Sequence, residues 1–289
     1  MKIKGLILSM IFEAESANYG EGIGNVASLK KMARGNGEQY TYISRQALRY
    51  NMVEQIGENL TPTRVEKEVV QFAPDATIKD YPEIDFFGYM KTKKGEGSTT
   101  RSAIVRLSNA ISLETFKGDL DFLTNKGLSD RTGGEMKGMN IAQSEIHRSY
   151  YRYSIAVDLD KIGIDENDKI SLEKSEKARR VNKLLDTISM LYRDIRGRRE
   201  DLKPLFAIGG VYDVKNPVFE NVLEVKDGKV VIPAIKGVLF DFIEKDTNCG
   251  LIEGKFKNDD EIKSELKSMS MPEMFKNLKS KVSEYYESN

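Results

Sequence analysis

Two residue types that carry much of protein chemistry are almost missing from this 289-residue chain, which has one cysteine, Cys249, and one histidine, His147. A single thiol excludes an intrachain disulfide and any multi-cysteine zinc site, in keeping with a reducing compartment. A single imidazole means that every histidine-based dyad, triad or metal site must pass through His147, and no metal-ligand spacing surrounds it. It reads as a half-buried residue entering a strand. Chemistry through Asp, Glu, Lys or Tyr stays open, but no carboxylate pair stands out from the scattered ones. Charge of one sign is lacking as well. Lys and Arg number 45, as do Asp and Glu, which argues against a uniformly basic nucleic-acid protein. Nothing resembles a membrane span. The short apolar run in "MKIKGLILSMIF" is followed by "EAESANYGEG" without a small-residue cleavage signature, so it reads as a buried first strand, and the protein is expected in the cytoplasm with no membrane partner. No Walker A sequence and no RRM aromatic motif is present, so base stacking on a sheet face is not implied. The loop "GEGIGN" has G-x-G-x-G spacing and its helix begins roughly twenty residues later, whereas a dinucleotide fingerprint needs the helix at once.

The composition, 39% hydrophobic and 31% charged, is that of a globular protein, and the chain is long enough to bury a substantial core. Its charge is segregated. Residues 26–50 carry Lys30, Lys31, Arg34, Arg45 and Arg49 against Glu38 alone, while residues 54–88 are dominated by Asp and Glu. Two more basic clusters follow: Lys91, Lys93, Lys94, Arg101 and Arg106, then "RDIRGRREDLK" with Arg193, Arg196, Arg198 and Arg199. In "IKGLILSMIF" both alternating sets are apolar, which predicts a central strand covered on two faces. A glycine-bearing loop over 13–39 precedes a helix at 42–56. "RSAIVRLSNAISL" and "SYYRYSIAVDL" predict strands, the second with one apolar face. Val181, Leu184, Leu185, Ile188, Leu191 and Ile195 follow helical spacing and predict a helix over 173–196. Strands are expected at "PLFAIGGVYD" and "KGVLFDFI", then a charged helical tail over about 258–289. The order strand, helix, strand, strand, helix, strand predicts an α+β fold of the ferredoxin-like βαββαβ, RRM-like kind. Residues 1–289 would form one domain, with insertions at about 60–100 and 114–146.

One stretch stands apart. In "YTYISRQALRYNM", Arg45 and Arg49 lie four apart at the start of a helix. The positions three and four away are Thr41, Tyr42, Leu48, Gln46, Met52 and Val53, none of them acidic. Like charges at this spacing repel by a few tenths of a kcal/mol, so the pair needs an outside anion. With unpaired backbone N–H groups and the helix dipole beside them, and Ser44 and Gln46 as further donors, they suit a phosphate. Tertiary pairing with a distant carboxylate, or plain solvation, is the competing reading.

Several stretches in order, "SANYGEGIGN", "YTYISRQALRYNM", "GDLDFLTNKGL", "SEIHRSYYRYSIAVDLDKIG" and "FAIGGVYDVKNPVFENV", together resemble the DevR family of CRISPR-associated proteins, backbone subunits of type I-B Cascade complexes within the RAMP superfamily. The resemblance implies a modified RRM-like core with finger-like (60–100) and thumb-like (114–146) insertions. It also implies a non-catalytic subunit without cofactors that polymerises along CRISPR RNA, binds its phosphates and presents its bases to target DNA. Further copies of itself, other Cascade subunits and a recruited helicase-nuclease would be its partners. Residues matching the family are Asn18 in the loop after the first strand, Ser44, Arg45, Gln46 and Arg49 in the helix, and Gly209 with Gly210 in a glycine turn; Lys30, Lys31 and Arg34 join them as basic loop residues. Two alternatives stay open: a stand-alone RNA-binding autoregulator, and an RNA-cleaving backbone subunit of the type III kind. Type III relatives place a catalytic aspartate between the first strand and first helix, whereas residues 13–74 here contain no aspartate, only glutamates such as Glu13, Glu15, Glu21 and Glu38.

Overall fold

A computed structural model describes residues 2–288 other than 21, 23, 67, 94–96 and 133–140. In chain order its main elements are β1 (Gly5–Ala14), β2 (Lys31–Ala33), β3 (Gln39–Ile43), α1 (Arg45–Gln55), β4 (Val105–Leu107), β5 (Ala110–Ser112), β6 (Asp119–Thr124), β7 (Ile141–Ile146), β8 (Ser149–Asp158), α2 (Lys174–Ser189), β9 (Tyr192–Ile195), β10 (Arg198–Asp201), β11 (Phe206–Tyr212), β12 (Thr247–Leu251), β13 (Met269–Ser270) and α3 (Met271–Ser288). The fold is mixed α+β. Among the described residues, nine strands form one sheet in the order β13-β12-β11-β1-β8-β5-β3-β2, with β4 also paired to β8. At its centre β1 runs antiparallel to both β8 and β11, with Leu8 opposite Ile155 on one side and Gly209 on the other.

The sheet is central because β1 is apolar on both faces. Leu6, Leu8, Met10 and Phe12 enter one core with Leu48 and Met52 of α1, Val181, Leu184, Leu185 and Ile188 of α2, and Met274, Leu278 and Val282 of α3. Ile7 and Ile11 enter a second core, capped by Phe219, Leu223, Ile235 and Ile243. Ser9, also on that second face, is satisfied by the hydroxyl of Ser154 at 2.6 Å, as a buried polar group requires. In α1 only Leu48 and Met52 are buried, each contributing about 1.5–3 kcal/mol. The helix is thus seated by one narrow stripe, and most of its surface is left for solvent or a ligand.

The insertion over 60–100 contains hairpins 63–66/69–72 and 89–93/97–101 and a short helix, Pro82–Phe87. Asp85 on that helix is fully buried and accepts from Arg101 (2.6 Å), Arg180 of α2 (3.0 Å) and the Gly163 N–H (3.0 Å). This knot ties the insertion to the main body. Lys94 lies outside the described residues. Within 114–146, β6 and β7 form a hairpin on which Leu120, Phe122 and Leu123 are exposed, and β7 also pairs with residues 26–27; residues 133–140 of that segment lie outside the described residues.

Four sequence-based expectations are corrected. Residues 31–43 of the expected loop and helix are the edge hairpin β2–β3, and α1 starts at Arg45 because Ser44 caps it. The helix over 173–196 ends at Ser189, and "YRDI" with "RRED" makes the hairpin β9–β10 instead. Its turn residues Arg196 and Gly197 both have positive φ (51° and 74°), as a two-residue turn between twisted strands demands. The expected strand at 236–243 is two short helices, Ile232–Lys236 and Asp241–Glu244, the first opened by Pro233; the strand is β12 instead. The supposed turn at Gly209 and Gly210 is the middle of β11. A Cβ on Gly209 would sit 2.0 Å from the Ile7 carbonyl oxygen and one on Gly210 2.1 Å from that of Asp246, so glycine is required there for close packing rather than for a turn.

Candidate nucleic-acid interface

Helix α1 begins at the sheet edge because the preceding loop is pinned to it. Asn18 donates its backbone N–H to Tyr42 O (3.2 Å), accepts from Lys30 N at 2.6 Å, and through Oδ1 accepts from Ser44 N at 3.0 Å. Ser44 in turn accepts from Ala47 N at 3.3 Å, the hydrogen bond of an N-cap. The next N–H, that of Arg45, donates to Asn109 Oδ1 at 2.9 Å. Asn18 and Ser44 therefore hold the helix start in place, and their oxygens are occupied by backbone donors.

Arg45 and Gln46 are exposed. Among the described residues Arg45 has no carboxylate partner. Arg49 does have one: Glu83 of the insertion lies 3.6 Å from its guanidinium, which also covers the Phe87 ring at 4.8 Å. The expectation that both arginines are unpaired therefore holds for Arg45 alone. A distance of 3.6 Å at a guanidinium 36% exposed is a loose surface pair, worth about 0–1 kcal/mol, which an incoming phosphate can displace. Together with Arg106, these residues line a groove of about 480 Å³ whose wall includes Phe87, Ala103 and Leu107.

The other predicted residues lie elsewhere. Lys31 is drawn into the fold, paired to Glu145 at 2.7 Å and set over the Phe116 ring at 4.2 Å. Arg34 is exposed and stacks over Tyr40 at 4.3 Å. Lys30 is half-buried with no ion pair among the described residues. Gly209 and Gly210 are buried inside the sheet and do not reach the groove. Arg106 belongs to a basic cluster in the sequence, but what brings it beside Arg45 is the crossing of β4 and β5 past the start of α1, which local spacing does not show.

His147 is structural. It is 6% exposed, its Nδ1 shares a 2.7 Å hydrogen bond with the Thr41 hydroxyl, and Phe116 meets its ring edge-on. Burial lowers its pKa, against the opposing charge of Glu114. The glutamates of the first loop are likewise engaged: Glu13 accepts from Arg148 (2.5 Å), Glu15 from Arg198 (2.6 Å) and Glu38 from Asn36 (2.6 Å); Glu21 lies outside the described residues.

A mixed α+β protein with a cationic groove at the start of its first helix is the class this geometry defines. The family model of the CRISPR-associated negative auto-regulator DevR/Csa2 matches residues 6–231, and the chain belongs to that family. A curated relative from Myxococcus xanthus (strain DK1622), the CRISPR-associated protein Cas7/Cst2/DevR, is 26% identical over 160 residues, a match spanning 48% of this chain and 52%, about half, of that relative. The fold is similar to that of chains in two solved structures. One is a CRISPR RNA-guided surveillance complex in a pre-nicking state (TM-score 0.58, 14% identity, 88% of this chain and 94% of that one). The other is a CRISPR RNA-guided surveillance complex (TM-score 0.58, 14% identity, 98% and 99%). Among the described residues no helix is long and apolar enough to cross a membrane.

Proposed function

We propose that this chain is a non-catalytic backbone subunit of a type I-B Cascade complex, built on a modified RRM-like core with finger and thumb insertions. It coats CRISPR RNA in the cytoplasm as a head-to-tail series of copies, grips the phosphates, and leaves the bases to pair with target DNA. Other Cascade subunits complete the assembly and a recruited helicase-nuclease does the cutting. The observation that carries the reading is Arg45, an exposed guanidinium without a carboxylate partner among the described residues, placed at a capped helix start whose dipole favours an anion. Supporting the RRM-like core is the central order β11-β1-β8-β5 with α1 before β4 and α2 before β11, the order a βαββαβ unit gives. In line with a binding role without cleavage, Glu13 and Glu15 are each engaged by an arginine, Arg148 and Arg198.

The test is to purify the chain with guide-length RNA, follow protein and nucleic acid together through size exclusion, and then add complementary RNA or DNA with magnesium or manganese. Long, heterogeneous RNA-bearing assemblies that leave both targets intact are expected. A monomer or closed dimer with one RNA would overturn the filament, and cleavage at regular intervals, lost on changing one of the loop glutamates to glutamine, would make it an enzyme.

A further inference from the structure

The buried stripe of α1, Leu48 and Met52, leaves the outer side of the helix open. Gln46, Arg49, Tyr50, Val53 and Glu54 follow one another on that side at helical spacing and line a cleft of about 370 Å³. Leu60, Thr63 and Phe72 of the insertion line it with them. This cleft continues the cationic groove at the helix start, because Gln46 and Arg49 belong to both. The two differ in charge. Arg45, Arg49 and Arg106 line the groove and no carboxylate does, although Asp158 stands 2.9 Å from Arg106. The cleft sets Glu54 and Glu83 against Arg49 alone, and the rest of its lining is apolar or uncharged. A phosphate is therefore favoured in the groove and repelled from the cleft, whereas an uncharged ring can enter the cleft freely.

Tyr50 is the exposed ring of α1. It is 64% exposed and makes no hydrogen bond or ring contact among the described residues. The other exposed aromatic rings among those residues are Phe122, on the β6–β7 hairpin, and Phe240 with Phe242, which stack on each other. An aromatic face beside a cationic groove is the arrangement that holds single-stranded nucleic acid without regard to sequence, since every base has a π-face. We propose that Tyr50 is a stacking shelf for one base of the bound strand, whose phosphates lie in the groove on Arg45 and Arg49. Stacking takes the face of the base and leaves its pairing edge free, so the shelf adds affinity to the coating without reading sequence. This rests on the reading that the chain holds RNA.

Tyr50→Ala removes the ring from an exposed position, touches neither the core nor a cation, and puts a better helix former in place. Affinity for guide-length single-stranded RNA, as oligo-A and as oligo-U, and for an abasic strand of the same length should be measured across a salt series, with melting temperature as the check on folding. The expected loss is about fivefold or more on both RNAs, none on the abasic strand, and an unchanged salt slope, because no phosphate contact is removed. Tyr50→Phe keeps the stacking face and should bind within about twofold of wild type. A loss on one homopolymer alone, equal losses on RNA and abasic strand, a loss with phenylalanine as large as with alanine, or no loss at all would each overturn the shelf. So would a loss of self-association with RNA affinity intact, which assigns Tyr50 to a neighbouring copy of the chain. Arg45→Ala separates the two levels: if it weakens RNA and abasic strand alike while Tyr50→Ala weakens neither, only the shelf fails; if it weakens neither, the RNA reading itself fails.

Discussion

Two arginine-rich segments of this chain look alike on paper and differ in the fold. In the hairpin β9–β10 every arginine is engaged: Arg193 with Glu200 at 2.6 Å, Arg198 with Glu15 at 2.6 Å, Arg199 with Asp194 at 2.9 Å, and Arg196 over the Tyr19 ring at 4.3 Å. At the start of α1, Arg45 meets no carboxylate among the described residues and Arg49 only a distant one. The denser basic run is therefore the weaker candidate for binding an anion. What decides is whether the fold brings a carboxylate within reach, and β9–β10 carries its own on the facing strand, Asp194 opposite Arg199 and Glu200 opposite Arg193. Cross-strand partners are close by construction, while the three- and four-residue neighbours on α1 are uncharged or cationic.

The comparison can be tested from its largest consequence downward. Arg193 and Glu200 are 5% and 9% exposed, and Glu200 also accepts from the N–H groups of Glu15 and Ser16. Arg193→Ala should cost about 1.5–3 kcal/mol of stability by removing the nearest cation from a buried carboxylate, seen as a lower denaturant midpoint, with the folded fraction still binding RNA normally. The double change Arg45→Ala and Arg49→Ala should do the reverse. Stability stays near wild type, while RNA binding weakens by about 1.5–3 kcal/mol for each charged hydrogen bond lost, and the salt dependence flattens by about one to two phosphate contacts regardless of sequence. A salt slope that does not change would place the phosphates elsewhere.

A third test uses pH. The helix side of the comparison rests on His147, through Thr41 of β3, whereas the hairpin contains no histidine. Burial holds the His147 pKa below its ordinary value near 6.5, so as pH falls below about 6.5 the unfolded chain takes up a proton first and stability drops, a loss that continues until the folded-state pKa is reached. A melting series between about pH 7 and 5 should show this loss alongside that of the carboxylates, and His147→Gln, which removes the chain's one imidazole, should flatten the slope in that window by the histidine's share. The smallest effect belongs to Arg199, whose partner Asp194 is as exposed as it is (64% and 65%). Arg199→Ala should leave both melting temperature and RNA affinity unchanged, and a clear loss of affinity would mean that the hairpin touches nucleic acid after all.

How much of this was readable beforehand follows from how local the cause is. The two-faced β1, the alternating β8 and the amphipathic α2 are written in short-range periodicity and were legible. The lack of a carboxylate along α1 was legible too, since it is a matter of neighbours in sequence, but across the fold it leaves only Arg45 unpaired among the described residues, because Glu83 reaches Arg49. The run "KGVLFDFI" misled because a short apolar stretch fits helix or strand equally, and the outcome leaves Phe240 and Phe242 stacked on each other in solvent, 5.5 Å apart. Glu83 beside Arg49, and Glu145 beside Lys31, are pairings across the fold that no spacing announces. Gly209 and Gly210 are placed in a turn only by the family resemblance, while "PLFAIGGVYD" itself already reads as a strand; the reason for glycine there, a backbone oxygen filling each Cβ position, exists only once β1 and the 246 region have closed around them.

Helix α3 has a consequence in time. Its eighteen residues bury Met271, Met274, Phe275, Leu278, Val282, Tyr285 and Tyr286 in the same core that seats Leu48 and Met52 of α1, and the tyrosine hydroxyls bond back to Lys2 O (2.7 Å) and Leu159 O (2.8 Å). On a ribosome that core stays open from the making of α1 until residues 271–288 have followed it, about 10–50 s of synthesis at roughly 5–20 residues per second, and a lidless apolar sheet face is what chaperones bind. The helix proposed to grip RNA is made well before the segment that completes its seat. Chains in which α3 has not yet been made should therefore bind RNA poorly.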